Sequence, residues 1–331
     1  MIALLFSLGG ISRSVGKRNL DYCACKLVDD IHSMIGVEFS QSFQNLVSGN
    51  WVQERYEEDL IQLGLKTGEL FLTASHLGMQ IQIFLERGDR EAEKILEKLA
   101  VVGELYDYDY ARLAHYTHGA LYLLKYGEIN KALKRANEGI TWIGKNLGNQ
   151  PGLLMSYSLK IKSLVMLDDL AGAEETLQVA SDFANRQAHA PYFLSFFLTA
   201  SMLLHTRQLE EAINCRDRKE ILRQKKYIAK NARKTRNIAR KVSFELIEVY
   251  RLHGIYFWLT GKQGKALKWW GRAIREAEQM GAKLELSLTL MEVYRRLAEP
   301  GSNHEKLDGE DPASLQQRAE QLYREMDIKI Q

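Results

Sequence analysis

Residues Tyr250–Ala273 read YRLHGIYFWLTGKQGKALKWWGRA, and small and large apolar residues recur in them at helical offsets. Small residues at Gly254, Ala266 and Ala273 let two antiparallel helices approach closely, while Tyr250, Phe257 and Trp270 fill the remaining volume. Gly261 permits the turn between them. The stretch therefore reads as one helix–turn–helix pair.

Weaker copies lie upstream, each aligned on an alanine of its second helix. Ala132 follows the turn Gly127-Glu128, with Ala120 and Leu123 before it and Ala136 after. Ala173 follows Asp168-Asp169-Leu170, Ala212 follows Arg207-Gln208-Leu209, and Arg87-Gly88-Asp89 marks a further turn ahead of Ala92. Leu153, Tyr157, Ile161, Leu164 and Leu167 form a single apolar stripe at helical spacing. Glu299–Pro312 breaks all periodicity and reads as a loop, and the residues after it read as a closing helix. The expected organisation is an N-terminal helical segment over 1–60, a repeat array over 61–298, a loop over 299–312 and a closing helix within 313–331. In the first segment Tyr22–Ile35 and Phe39–Val47 look helical. The apolar opening Met1–Gly10 reads as part of a buried helix, which gives the polypeptide the look of part of something longer.

Composition agrees with an uninterrupted helical array. The chain has 331 residues and only four prolines, so helices are seldom broken. Three cysteines, Cys23, Cys25 and Cys215, without C-x-x-C spacing argue against a disulfide framework or a structural zinc site and fit a reducing cytoplasm. No window approaches the roughly 20 apolar residues that span a bilayer, so no membrane partner is expected. Net charge is +3, but Arg216–Lys241 carries twelve basic residues against Asp217 and Glu220. An apolar series Ile221, Ile228, Ala232, Thr235, Ala239, Val242 and Leu246 runs through that stretch, which predicts a helical insertion over about 216–241 that lengthens the neighbouring helices.

The pattern at Tyr250, Gly254, Phe257, Gly261, Ala266, Trp270 and Ala273 resembles the tetratricopeptide repeat superfamily, with a period longer than the usual ~34 residues. It is similar to the long-repeat helical regions at the carboxyl end of large bacterial signalling proteins of the cyclase and serine/threonine kinase type. The resemblance covers about residues 70–298 and implies an all-α, right-handed α-solenoid of about six helix pairs with longer helices than the standard repeat. It also implies a scaffold that takes a protein segment along a concave groove. The cyclase, kinase and nucleotide-binding modules that accompany such regions are absent, so the resemblance carries no catalytic activity.

No phosphate-cradling G-x-x-x-x-G-K-[ST], no G-x-G-x-x-G after a strand and no H-E-x-x-H occurs, so neither an enzyme nor a cofactor is expected. His115 and His118 share one helix face at metal-ligand spacing, but no third ligand accompanies them and core packing is the simpler reading. Tyr106, Tyr108, Tyr110 and Tyr116 offer large amphipathic contact areas suited to a peptide partner. Trp269, adjacent to the core-facing Trp270, points elsewhere and is a candidate contact for another module. Arg223, Lys226, Lys230, Arg233, Lys234 and Arg240 are expected in solvent as a basic patch. The patch suits an acidic protein region, with nucleic acid as the alternative partner. The expected role is a non-catalytic protein–protein interaction module in cytoplasmic signalling or regulation. The alternatives are a nucleic-acid-associated regulator, or the detached carboxyl region of a cyclase- or kinase-type protein.

Overall fold

One backbone device ends helix after helix. In the turn after a helix a residue takes the left-handed conformation, and the following N–H reaches back to a carbonyl of the last turn, as in Asp89 to Phe84, Glu128 to Leu123, Asp169 to Leu164 and Lys262 to Phe257, all at 2.8–3.0 Å. Glycine fills this position at Gly88, Gly127 and Gly261, whereas Asp107, Asp168 and Arg216 adopt it at φ 48–58°.

The structure is a computed structural model that describes residues 30–147 and 151–328. Its helices are α1 (Ile31–Ser48), α2 (Glu58–Lys66), α3 (Leu70–Glu86), α4 (Glu91–Leu105), α5 (Asp109–Lys125), α6 (Ile129–Asn146), α7 (Pro151–Met166), α8 (Leu170–Arg186), α9 (Pro191–Asn214), α10 (Arg218–Ala239), α11 (Ser243–Leu259), α12 (Gln263–Met280), α13 (Lys283–Leu297) and α14 (Pro312–Glu325). No β-strand occurs among the described residues.

Packing follows chain order. From α3 onward consecutive helices pair, α3 on α4 through α13 on α14. The first members of these pairs also pack on one another, α3 on α5, α5 on α7, α7 on α9, α9 on α11 and α11 on α13. This inner file curls back, since α13 reaches α3 and α11 reaches α1. Inner helices are accordingly buried on most sides: α3 is buried from Leu72 to Glu86, and α11 at thirteen of its seventeen residues. Outer helices keep a narrow apolar stripe, as in α12, where Ala266, Trp270, Ala273, Ile274 and Ala277 face inward.

At Tyr250–Ala273, Gly254 lies where a Cβ would fall 2.1 Å from the Trp270 indole nitrogen, so the close approach of α11 and α12 requires glycine there. Trp270 is fully buried, and its indole donates to the Arg251 carbonyl at 3.2 Å.

Four sequence expectations need correction. Ala212 is not in a second helix: it lies near the end of the 24-residue α9, which runs through Arg207-Gln208-Leu209 without a turn. The turn comes at Arg216, the first residue there in the left-handed conformation. Consequently Arg216–Lys241 is no extension of neighbouring helices. Its core is a separate helix, α10, that packs on α9. Of the α7 stripe, Leu153, Ile161 and Leu164 are buried as expected, but burial spreads over most of the helix, Tyr157 is only half-buried, and Leu167 lies past the helix end at 38% exposure. Finally, Ile31–Ser48 is one helix across Gly36, because burial of Met34, Ile35, Phe39 and Leu46 outweighs the ~1 kcal/mol a glycine costs. Met1–Gly10, most of Tyr22–Ile35, Cys23 and Cys25 lie outside the described residues.

Candidate functional site

Helix α10 starts on Asp217, whose carboxylate accepts the backbone N–H groups of Lys219 and Glu220 at 3.0 Å. Gln224, Ile228, Thr235 and Ala239 then recur at helical spacing and face the protein. At 100° per residue the opposite side collects Lys219, Arg223, Lys226, Lys230, Arg233 and Lys234, all exposed, with Arg240 and Lys241 exposed just beyond the helix end. From Lys219 to Lys241 the row is about 33 Å long at 1.5 Å per residue. Among the described residues its single ion pair joins Arg223 to Glu220 at 2.7 Å, and Glu220 holds the Arg223 guanidinium above its usual range.

Helix α12 adds to this surface. Trp269 is half-buried between α10 and α11, with Tyr250 at 5.3 Å and His253 at 4.9 Å between ring centroids. Arg236 of α10 and Arg272 of α12 both lie over its ring, at 5.4 and 4.7 Å. Trp269 therefore joins neighbouring helices. Burial, then Arg240, pulls the Arg236 guanidinium below its ordinary value, with Arg233 and Arg272 adding to the repulsion.

The tyrosines do not form one surface. Tyr106 is exposed at the end of α4, beside the exposed Val101 and Leu105. Tyr108 and Tyr110 are half-buried, and the Tyr110 hydroxyl accepts from Ser75 at 3.3 Å while its ring meets Phe71 at 5.1 Å. Tyr116 packs on Trp142 at 5.7 Å beneath Arg135. It lines an open hollow of about 890 Å³ on α6, with Asn130, Asn137 and Thr141.

His118 is buried, and its Nδ1 donates to the Ala114 carbonyl at 2.9 Å. Burial pushes His115, His118 and His253 down to about 4. No group of three potential metal ligands occurs among the described residues. These histidines give a pH prediction. Unfolded they bind protons near pH 6.5, and folded they refuse them until about 4, so their stabilising contribution is present above about 6.5 and falls away on acidification. Glu86 works the other way. Burial raises it to about 7, so it favours the folded state increasingly as pH drops from about 7 toward 4.5. With three histidines against Glu86 and the likewise raised Glu245, the urea midpoint is expected to fall between about pH 7 and pH 5, and to fall more steeply in Glu86→Gln. A midpoint that rises over that interval contradicts the assignment.

Sequence reading missed the charged interior. Lys125 of α5 bonds Glu86 of α3 at 2.8 Å and Glu285 of α13 at 2.7 Å. Arg251 of α11 bonds the same Glu285 at 2.7 Å. Lys162 of α7 meets Glu248 at 2.7 Å and Glu245 at 3.5 Å, both on α11. Side chains in this network are at most 13% exposed. Four carboxylates share three cations, and the deficit shows in Glu86 and Glu245, both raised by burial. Glu285 is held at about 2, because Arg251 and Lys125 overcome the cost of its burial. A second link joins Arg296 of α13 to Glu210 of α9 and to Glu292. Tyr192 of α9 donates to Gln82 of α3 at 2.7 Å. Inner faces that a groove ligand would touch thus meet one another. One signal was available: these charges sit in helices otherwise apolar, as in SFELIEVY at Ser243–Tyr250.

No protein-family model matches the sequence, and no curated protein matches it.

Proposed function

We propose that the chain is a non-catalytic interaction module, a tetratricopeptide-like right-handed solenoid of about six helix pairs serving cytoplasmic signalling or regulation. Its partner is an acidic region of another protein, bound on the outer face of α10. The observation that carries this reading is the row from Lys219 to Lys241, directed away from the core with one ion pair to neutralise it. Such a row raises association rates with an anionic partner and is screened by salt. The buried links among α3, α5, α7, α11 and α13 are the reason for preferring the outer face to the inner groove.

Affinity capture from cell lysate tests it, at about 50 and about 300 mM salt with nuclease in parallel. A protein captured at the lower salt that survives nuclease, and is lost in Lys226→Glu/Lys230→Glu, supports the proposal. Capture of nucleic acid alone, vanishing at the higher salt, overturns it in favour of a nucleic-acid-associated role.

A further inference from the structure

Most arginines of this protein that touch another element find a carboxylate. Arg251 of α11 meets Glu285 of α13, Arg296 of α13 meets Glu210 of α9, and Arg318 of α14 meets Glu278 of α12. Around Trp269 the rule fails. Arg233, Arg236 and Arg240 descend one side of α10 toward Arg272 of α12, and none of the four has an ion pair among the described residues. The acids of intervening α11, Glu245 and Glu248, are turned inward onto Lys162.

Two of these guanidiniums are held in place. Arg236 donates to Nε2 of His253 at 3.4 Å, and His253 is itself fixed by Nδ1 donating to the Val249 carbonyl at 2.8 Å. Arg236 and Arg272 both rest on the Trp269 ring, which orders their planes before any ligand arrives. Like charges this near one another repel, and burial first, then Arg240, Arg233 and Arg272, hold the Arg236 guanidinium below its ordinary value. A doubly charged anion between them relieves the repulsion.

We propose that Arg233, Arg236, Arg240 and Arg272 form a docking site for a phosphomonoester carried on an acidic segment of a partner protein. This rests on the reading of α10 as the partner surface. Two guanidiniums over one indole, with Arg233 and Arg240 about one helical turn to either side of Arg236, suit a single group carrying about −1.5 to −2 charges, with three acceptor oxygens for bidentate forks. A phosphodiester strand brings one charge per group at even spacing and gains nothing special from the cluster. Lysines farther up α10 then meet carboxylates flanking the phosphorylated residue.

The test uses the whole chain and three fluorescein-labelled probes at about 150 mM salt: an acidic peptide with one phosphoserine, the same peptide with serine, and a single-stranded RNA 20-mer. The phosphopeptide is expected to bind about tenfold more tightly than its serine counterpart. Arg236→Lys/Arg272→Lys keeps the charge but removes the forks, and should reduce that preference to less than about twofold while leaving serine-peptide affinity nearly unchanged. Lys226→Glu/Lys230→Glu should weaken both peptides alike. Because Arg236 packs on Trp269, a wild-type measurement stands beside the variants: the Trp269 indole N–H resonance should shift with inorganic phosphate and not with equal acetate. Equal binding of the two peptides, or an unmoved indole resonance, overturns the phosphate site while leaving the acidic-partner reading intact. Failure of both peptides to bind overturns the acidic-partner reading itself. RNA binding tighter than the phosphopeptide, lost in the same arginine variants, overturns the site in favour of nucleic acid.

Discussion

Lys125→Met is expected to lower the free energy of unfolding by about 3–5 kcal/mol, the cost of leaving buried carboxylates without their cation. Lys125 touches Glu86 and Glu285 from two other helices, so its loss leaves Glu86 without a cation and Glu285 with Arg251 alone. Burial opposes its ammonium, yet Glu285 and Glu86 hold it above its usual range. Glu86→Gln should be far milder, because Glu86 already lies near its protonated state at about 7. Equilibrium urea denaturation of the two variants separates these outcomes, and equal costs would show that Lys125 contributes only packing.

The second large effect belongs to Gly254. A methyl group there meets a fully buried indole with no room to turn, so Gly254→Ala should cost about 3 kcal/mol through overpacking. Trp270→Leu alone is destabilising for the opposite reason, an unfilled cavity. Combined, the two should cost less than their sum, since the methyl enters space the indole has left. Thermal unfolding of the three variants measures this coupling. An alanine variant within about 0.5 kcal/mol of the parent would mean that α11 and α12 separate easily.

Both predictions show what local sequence carries. Gly254 and Trp270 announce their packing because small and large residues facing each other across one turn leave a pattern within twenty residues. Turns built on Gly88, Gly127 and Gly261 were legible for the same reason. Arg216 hides its turn, since an arginine in left-handed conformation has no compositional signature, and Ala212 therefore reads as part of a second helix although α9 runs through it. The basic row was legible as charge, and Trp269 as a residue facing away from Trp270. The arginine cluster around Trp269 was not, because it unites residues 36 positions apart on helices separated by α11. Least legible was the ionic interior: Lys125 and Glu285 are 160 positions apart, and no periodicity links them.

Contacts between the first and last helix pairs have a mechanical consequence. Arg90, at the start of α4, bonds Asp327, just past α14, at 2.7 Å, and Met326 lies against Gly88. An open row of helices is a spring whose outermost coils loosen before the middle, so its unfolding spreads inward by stages. Here early and late helices are tied to each other. Pulling open any one joint strains every other, and the molecule should hold its shape up to a threshold and then yield all at once.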